Sequence, residues 1–363
     1  IKTNIIGYVE DDDRTYKADI LLHDETVHVP KNRIQPVWVE VNIPKNIQPG
    51  IYDGHVQIFK HSMFEDERPV GCLDFHIDVK DVVLPKASDH KFHLDLWQHL
   101  SNIARKHEVV LWSDDHFRVI EEYVKSLAVL GQKAITVVAS EIPWSGQRCF
   151  DVDNYLSDLF EYSIIKVTKD LNGKYIYDFS ILERYIDLCF RYGIDREIEV
   201  FGLTNIWVSP EKGYGAVADD YPDAIRIRYL DKSDSCYKYM KSGKEIMEYI
   251  RAIEQYFIDK QLIDKVLIVA DEPSDVELYQ KRLEIIRKVA PSFKFKTAIN
   301  HVEFIGEFKD QITDFVPSLS CVCEEWELLN EIKKDISGRL LWYVCCGPLF
   351  PNTFISSPLL ESR

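Results

Sequence analysis

Lys265-Val266-Leu267-Ile268-Val269-Ala270-Asp271-Glu272-Pro273-Ser274 is the stretch from which the rest of the chain is read. Val266 to Ala270 are apolar without interruption, the pattern of a strand buried on both faces, and two carboxylates arrive where it ends. Pro273 biases Glu272 away from helical geometry, and Ser274 with Glu277 has the S-x-x-E form of a capping box, so a helix is predicted to begin at once. The acids therefore occupy a tight strand-to-helix turn. In a parallel sheet or barrel such turns line the face where ligands bind, because every strand delivers its carboxyl end there. A second reading of the pair is that it only caps the next helix and complements its dipole.

The totals narrow the setting. At 363 residues with 46% hydrophobic content, the chain suffices for one large barrel plus a smaller domain. Lys and Arg number 44 against 60 Asp and Glu, a formal charge of −16 that disfavours nucleic acid and anionic membrane surfaces as partners. No run approaches the roughly 20 apolar residues of a membrane span, and no signal-peptide pattern opens the chain. A cytoplasmic location is the expectation, although a first residue of Ile1 leaves room for an upstream segment that has been removed. The eight cysteines, among them Cys321, Cys323, Cys345 and Cys346, lack the C-x₂-C spacing and neighbouring His of zinc motifs, so neither metal nor cofactor is expected. The composition leaves oligomeric state undefined.

Residues 1–85 read as an all-β sandwich. Val37, Val39 and Val41 alternate with polar neighbours, Pro49-Gly50 marks a turn, and Ile51 to Phe59 and Cys72 to Val79 supply further strands. Asp81 to Ser88 is a linker. Beyond it, in a barrel domain over 86–363, strands alternate with helices. The predicted strands are Leu94–Trp97, Ala134–Ala139, Glu197–Gly202, the opening strand, Phe295–Ile299, Asp314–Leu319 and Leu340–Val344. Helices are predicted from Phe117 to Leu130 with Gly131 as stop, near Tyr155 to Tyr162, from Asp178 to Tyr192, around Ile246 to Phe257, and from Val276 to Val289; Asn172-Gly173 marks a hairpin. Seven β/α units imply a (β/α)8 TIM-type barrel whose last strand is absent from this chain. The loop from Leu203 to about Ser235, with Trp207, Tyr214, Tyr221, Arg226, Arg228 and Tyr229, is long enough to be functional, as a sugar-binding wall or as an excursion that packs its own aromatics.

The order of β module, linker and barrel, the run Leu171-Asn172-Gly173-Lys174-Tyr175-Ile176-Tyr177-Asp178-Phe179, the Asp271-Glu272-Pro273 tip and the tail from Pro348 to Arg363 together resemble glycoside hydrolase family 123 and its DUF4091 relatives. The run approximates that family's D-G-x-[YW]-x-[YF]-D text, with Asn172 in the place of its first Asp. The resemblance implies a retaining exo-β-N-acetylhexosaminidase, N-acetylgalactosaminidase-like, that uses the substrate's own 2-acetamido group as nucleophile. It implies Glu272 as general acid and then base, and Asp271 as the group that orients the acetamide and stabilises the oxazolinium intermediate. Substrate assistance of this kind departs from the usual two-carboxylate scheme. Adjacent residues of an extended strand point to opposite sides, so both can face one sugar ring only if the strand end is distorted.

The partner implied is a glycan or amino sugar. Trp97, Trp144, Trp207 and Trp342 are candidates to wall the pocket, Tyr343 to donate to the acetamido carbonyl, and Asn300 and His301 to bind hydroxyls. Two alternatives stand beside this reading. One is a carbohydrate-binding or scaffold protein on a barrel that no longer catalyses. The other is a two-carboxylate glycosidase with Glu324 as partner, although Glu324 is also placed at a helix start.

Overall fold

The computed structural model describes residues 1–10, 14–143, 160–208 and 215–344, which divide into two compact units separated at Pro85 and Lys86. In the first unit β1 (Lys2–Glu10) is flanked by β2 (Tyr16–Leu22) and β3 (Val37–Glu40) in an antiparallel sheet, while β4 (Gly50–Lys60) and β5 (Arg68–Val79) form a separate hairpin. These strands make a β-rich region. A sandwich would hide one face of each sheet. Here Ile5 is the one buried apolar side chain among the described residues of the unit, and Ile51 and Leu73 of the hairpin are exposed.

The second unit is α/β. The chain runs through α1 (Leu100–Lys106), α2 (Asp114–Leu130), β6 (Ala134–Val138), the short pair β7 (Ile142–Pro143) and β8 (Phe160–Glu161), the hairpin β9 (Lys166–Lys169) and β10 (Tyr175–Asp178), α3 (Ser180–Arg191) and β11 (Glu197–Phe201). It continues through β12 (Arg228–Asp231), β13 (Cys236–Tyr239), α4 (Gly243–Asp259), β14 (Val266–Asp271), α5 (Val276–Val289), β15 (Lys294–Ile299), α6 (Glu303–Phe308), β16 (Asp314–Pro317), α7 (Leu319–Glu324) and α8 (Trp326–Ile332). β6, β11, β14, β15 and β16 form one parallel sheet in chain order. Every residue of β6 and β11 is buried, as uninterrupted strands between helix layers require.

Two flanking segments extend the sheet. Leu94 bridges Gln132 beside β6, and Leu340 and Tyr343 bridge Phe315 and Ser318 beside β16. Full strands are predicted at both places, but side chains replace part of the first ladder. Leu96 N donates to Gln132 Oε1 at 2.9 Å, Gln98 N to Thr136 Oγ1 at 3.1 Å, and Thr136 N to Gln98 Oε1 at 2.8 Å. Among the described residues the hydrogen bonds thus define an open parallel sheet, not the closed eightfold barrel.

Helix boundaries follow local chemistry. Ser113 caps α2 by accepting from His116 N at 3.2 Å, and Gly131 ends it at φ 87°. The cap of α5 is Asp275, which accepts from Leu278 N at 2.8 Å, in place of the Ser274 of the predicted capping box. The predicted helix near Tyr155 lies largely outside the described residues, and its end at Phe160 and Glu161 is strand. No helix among the described residues is long and apolar enough to cross a membrane.

Opposite the strand ends that bear Asp271, the sheet interior is charged. Lys296 Nζ of β15 lies 2.7 Å from Asp95 Oδ2 and 2.8 Å from Glu197 Oε1 and also pairs with Glu199. Arg339 pairs with Glu197 and Asp314, and its Nη1 stands 3.0 Å from His93 Nδ1. Four carboxyls face two permanent cations, and full burial together with the Asp95 carboxyl pushes Glu199 well above the usual carboxylate range. Burial opposes ionisation of Glu197 too, but Lys296 and Arg339 outweigh it and hold that group down to about 2. His93, Asp95 and Glu197 bring ligand atoms within 4.8 Å of one another, a spacing a metal ion could bridge. The Lys296 ammonium already compensates two of the three.

Candidate functional site

β14 alternates between two surroundings. Val266, Ile268 and Ala270 belong to the large apolar core, whereas Val269 joins Val138, Ile142 and Phe201 in a small separate cluster against which Trp97 packs. Trp97 meets Phe201 edge-on with ring centroids 4.8 Å apart. Asp271, two residues past Val269, shares the face of that apolar floor. The floor comes from the ends of several parallel strands, and Asp271 and Glu272 stand at its rim.

The distortion that would let two adjacent acids cooperate is present, and it sits on the acid itself. Glu272 has φ 42°, in the left-handed region that a non-glycine residue occupies only when its surroundings impose it. Its N–H still donates to Ala298 O at 3.0 Å, so the turn is anchored to β15. The carboxylate reaches outward. Its Oε1 accepts from the Tyr343 hydroxyl and its Oε2 from Asn300 Nδ2 at 3.3 Å. Tyr343 is set in place by the continuation of the sheet, its N–H donating to Pro317 O at 3.1 Å and its carbonyl accepting from Leu319 N at 3.0 Å.

Of the side chains singled out from the sequence, the structure therefore gathers Glu272, Asn300 and Tyr343 by direct hydrogen bonds, with Asp271 as chain neighbour and Trp97 in the floor. His301 is exposed and turned toward Glu303, its Nδ1 3.7 Å from that carboxylate. Trp342, next to Tyr343 on an extended segment, is 50% exposed. Trp207 is half-buried in the loop after β11, and Trp144 lies outside the described residues. Glu324 is the last residue of α7 and exposed, so it does not start a helix. At 1.5 Å per residue it is carried roughly 8 Å down the helix from the rim.

The long loop after Leu203 proves to be the packed alternative in its described part. Ala224, Ile225, Ile227, Tyr221 and Tyr229 are buried, and β12 joins β9, β10 and β13 in a four-stranded sheet. Another acid stands at the tip of β6, but it is committed elsewhere. Glu141 is buried, receives the Tyr239 hydroxyl, and lies 2.8 Å from Arg228 Nε. Burial raises its pKa, with Tyr239 and the two arginines, Arg228 and Arg226, working against the rise.

Three residues that the sequence reading passed over support the site from beneath. Asn205 Nδ2 donates to Asp271 O at 2.5 Å, Arg282 Nη1 donates to Asn205 Oδ1 at 2.8 Å, and Arg282 Nε lies 3.2 Å from Asp223 Oδ2. Asn205 follows a strand tip as Asn300 does, which is the one signal that could have flagged it. Arg282, mid-way along α5, gives none.

Chemically the rim presents an exposed carboxylate held by two donors, a second carboxylate beside it, and an aromatic and aliphatic floor. That combination suits proton transfer to and from an uncharged ligand with an apolar face.

Comparison with known proteins bears on the family and the fold. The model of the glycoside hydrolase 123 catalytic domain matches residues 97–363, and that of the glycoside hydrolase 123 N-terminal domain matches residues 5–60. A family 123 glycoside hydrolase from Clostridium perfringens, whose structure was analysed for glycolipid glycan hydrolysis, superposes with a TM-score of 0.72 at 19% identity. The match covers 97% of this chain and 61% of that one, so this chain spans about three-fifths of its length. A β-D-glucuronidase from Dictyoglomus thermophilum aligns over 93% of this chain and 48% of that one at 13% identity, with a TM-score of 0.33 that carries no weight for the fold. No match is found among curated proteins.

Proposed function

The chain belongs to glycoside hydrolase family 123, and from that premise we propose that it is a retaining exo-β-N-acetylhexosaminidase, N-acetylgalactosaminidase-like, that works by substrate assistance. The observation that carries the reading is the environment of Glu272: a strand-end carboxylate that accepts from Tyr343 and Asn300 directly beside Asp271. In this scheme Glu272 protonates the glycosidic oxygen while the 2-acetamido oxygen attacks the anomeric carbon from the other side. Asp271 accepts from the acetamido N–H and so aims its oxygen and stabilises the oxazolinium charge. The deprotonated Glu272 then takes a proton from the water that opens the ring, and the anomeric configuration is retained. Trp97 offers an apolar surface for a sugar face.

The lack of a second uncommitted carboxylate supports substrate assistance over a two-carboxylate scheme, since among the described residues Glu324 lies down α7 and Glu141 is engaged by Arg228 and Tyr239. We further read the parallel sheet as part of an eightfold barrel. In such barrels alternate strands fill shared interior layers. Asp95, Glu197 and Glu199, Lys296 and Arg339 come from the first, third, fifth and seventh strand positions and meet in one cluster.

The test is a panel of nitrophenyl glycosides that includes N-acetylgalactosaminide, N-acetylglucosaminide and forms without the acetamido group, followed by glycolipid glycans. Glu272→Gln should lose on the order of 10²–10⁴ in turnover, as removal of a general acid/base does, and a thiazoline analogue should inhibit the native enzyme. Native rates in Glu272→Gln, or equal hydrolysis of glycosides without the acetamide, would reject the assignment.

A further inference from the structure

Accepting Asp271 and Glu272 as the acid pair, we infer that Asn205, held by Arg282 and Asp223, is a positioning residue that clamps the Asp271–Glu272 peptide in its left-handed turn. The ladder explains why a clamp is needed. β14 pairs with β15 as far as Asp271 and Ala298, and the Glu272 N–H extends that edge by bonding Ala298 O. On the other edge the register with β11 stops at Val200 and Ile268, three residues short of Asp271. There the Asn205 side chain takes over the part of a neighbouring strand by donating Nδ2 to Asp271 O at 2.5 Å. The peptide that links the two acids is therefore gripped from both sides.

An asparagine can do this only with its amide turned the right way, and its neighbour fixes the choice. Arg282 has donors and no acceptors, so its Nη1, 2.8 Å from Asn205 Oδ1, forces the oxygen toward itself and the NH₂ toward Asp271. Arg282 is itself pinned: its Nε donates to Pro222 O at 3.0 Å and lies 3.2 Å from the buried Asp223. Asp223 in turn accepts from the backbone N–H of Asn205 at 2.5 Å, Ile206 at 2.9 Å and Ala224 at 2.9 Å. These bonds close a ring around Asn205, which sits at φ 53°. Two residues in the left-handed region, Asn205 and Glu272, thus face each other across one carbonyl.

Asn205→Asp is the informative variant, because it keeps size and the Arg282 contact and replaces only the donor by an acceptor that meets the Asp271 carbonyl. The protein is assayed on an aryl N-acetylhexosaminide, with rates expressed per thiazoline-binding site so that a misfolded fraction does not count. Both Asn205→Asp and Asn205→Ala should lower kcat about 10–100-fold with KM within about 3-fold, should alter the pH profile of kcat, and should leave crystals of Asn205→Asp with Glu272 at negative φ. Native kcat and pH profile in both variants, alongside an inactive Glu272→Gln, would overturn the clamp and leave the glycosidase reading intact. Native turnover in Glu272→Gln would overturn both.

Discussion

The Tyr343 hydroxyl donates to Glu272 Oε1, and this bond joins two segments separated by 71 residues across the rim of the parallel sheet. A hydrogen bond to a carboxylate fixes its direction, so the bond bears on where Glu272 points when it transfers a proton. Tyr343→Phe removes the donor and keeps the ring. We expect kcat on an aryl N-acetylhexosaminide to fall roughly 10-fold with KM little changed, a loss that steady-state kinetics would register.

Trp97 offers a separate test of the floor. Trp97→Ala removes the aromatic face that packs against Phe201 and keeps both acids in the chain. KM for the aryl glycoside should rise about 10-fold while kcat changes little, because the contact is made equally to bound substrate and transition state.

Lys296 should be far more sensitive than its distance from the rim suggests. Lys296→Met leaves Asp95, Glu197 and Glu199 without their shared cation in a buried place. Loss of one partner from a buried ionic cluster typically costs about 3–5 kcal/mol. A urea titration should show that loss as a lower midpoint, and an unchanged midpoint would mean the cluster is balanced in some other way.

Gly202 ends β11 at φ 91°, where a Cβ would stand 2.4 Å from Ser140 Oγ, the hydroxyl that donates to the Gly202 carbonyl at 2.7 Å. Gly202→Ala therefore combines a strained backbone with a clash. A destabilisation of about 1–3 kcal/mol is expected by thermal or chemical unfolding.

The pH dependence of stability should carry a contribution from Glu161. Burial raises its pKa to about 7, while the N–H groups of Ser101 and Asn102 work against the rise. The folded protein then binds a proton that the unfolded chain, near 4.5, has already released, so this group's contribution is full below 4.5 and is lost as pH climbs to about 7. His99 works the other way: burial first, and Arg105 second, lower it to about 4, which withdraws stability as pH falls below about 6.5. In Glu161→Gln the decline between pH 5 and 7 should disappear from melting curves, whereas His99→Gln should remove the decline on the acid side.

Much of this layout was legible in the chain because periodicity and punctuation are local. Short β-rich runs located β6, β11, β14 and β15, of which only that of β14 is apolar from Val266 to Ala270 without a break, and α5 has the bounds predicted for it, Val276–Val289. Asn300 and Tyr343 stand out in the sequence by their place at strand tips, and both bond Glu272. What failed was long-range or compensatory. His301 and Trp342 share those tips but face away, since adjacent residues of an extended segment alternate in direction. The first strand position looks complete in sequence, yet Gln132 and Thr136 side chains take over much of its bonding. Nothing in the text around Arg282 announces that it orients an asparagine 77 residues away. The first unit is β-rich as expected, while strand patterns specify alternation and not which second layer covers a face.

The lysine at 296 answers to three carboxylates contributed by two distant stretches of the chain. Such a knot makes the interior an all-or-none inheritance: grafting one strand from a divergent relative would strand a charge, whereas transplanting positions 95, 197, 199, 296, 314 and 339 as a set would keep each charged group with its partners. Any attempt to recombine or humanise this scaffold must therefore draw its crossover points around that knot instead of between successive β/α repeats.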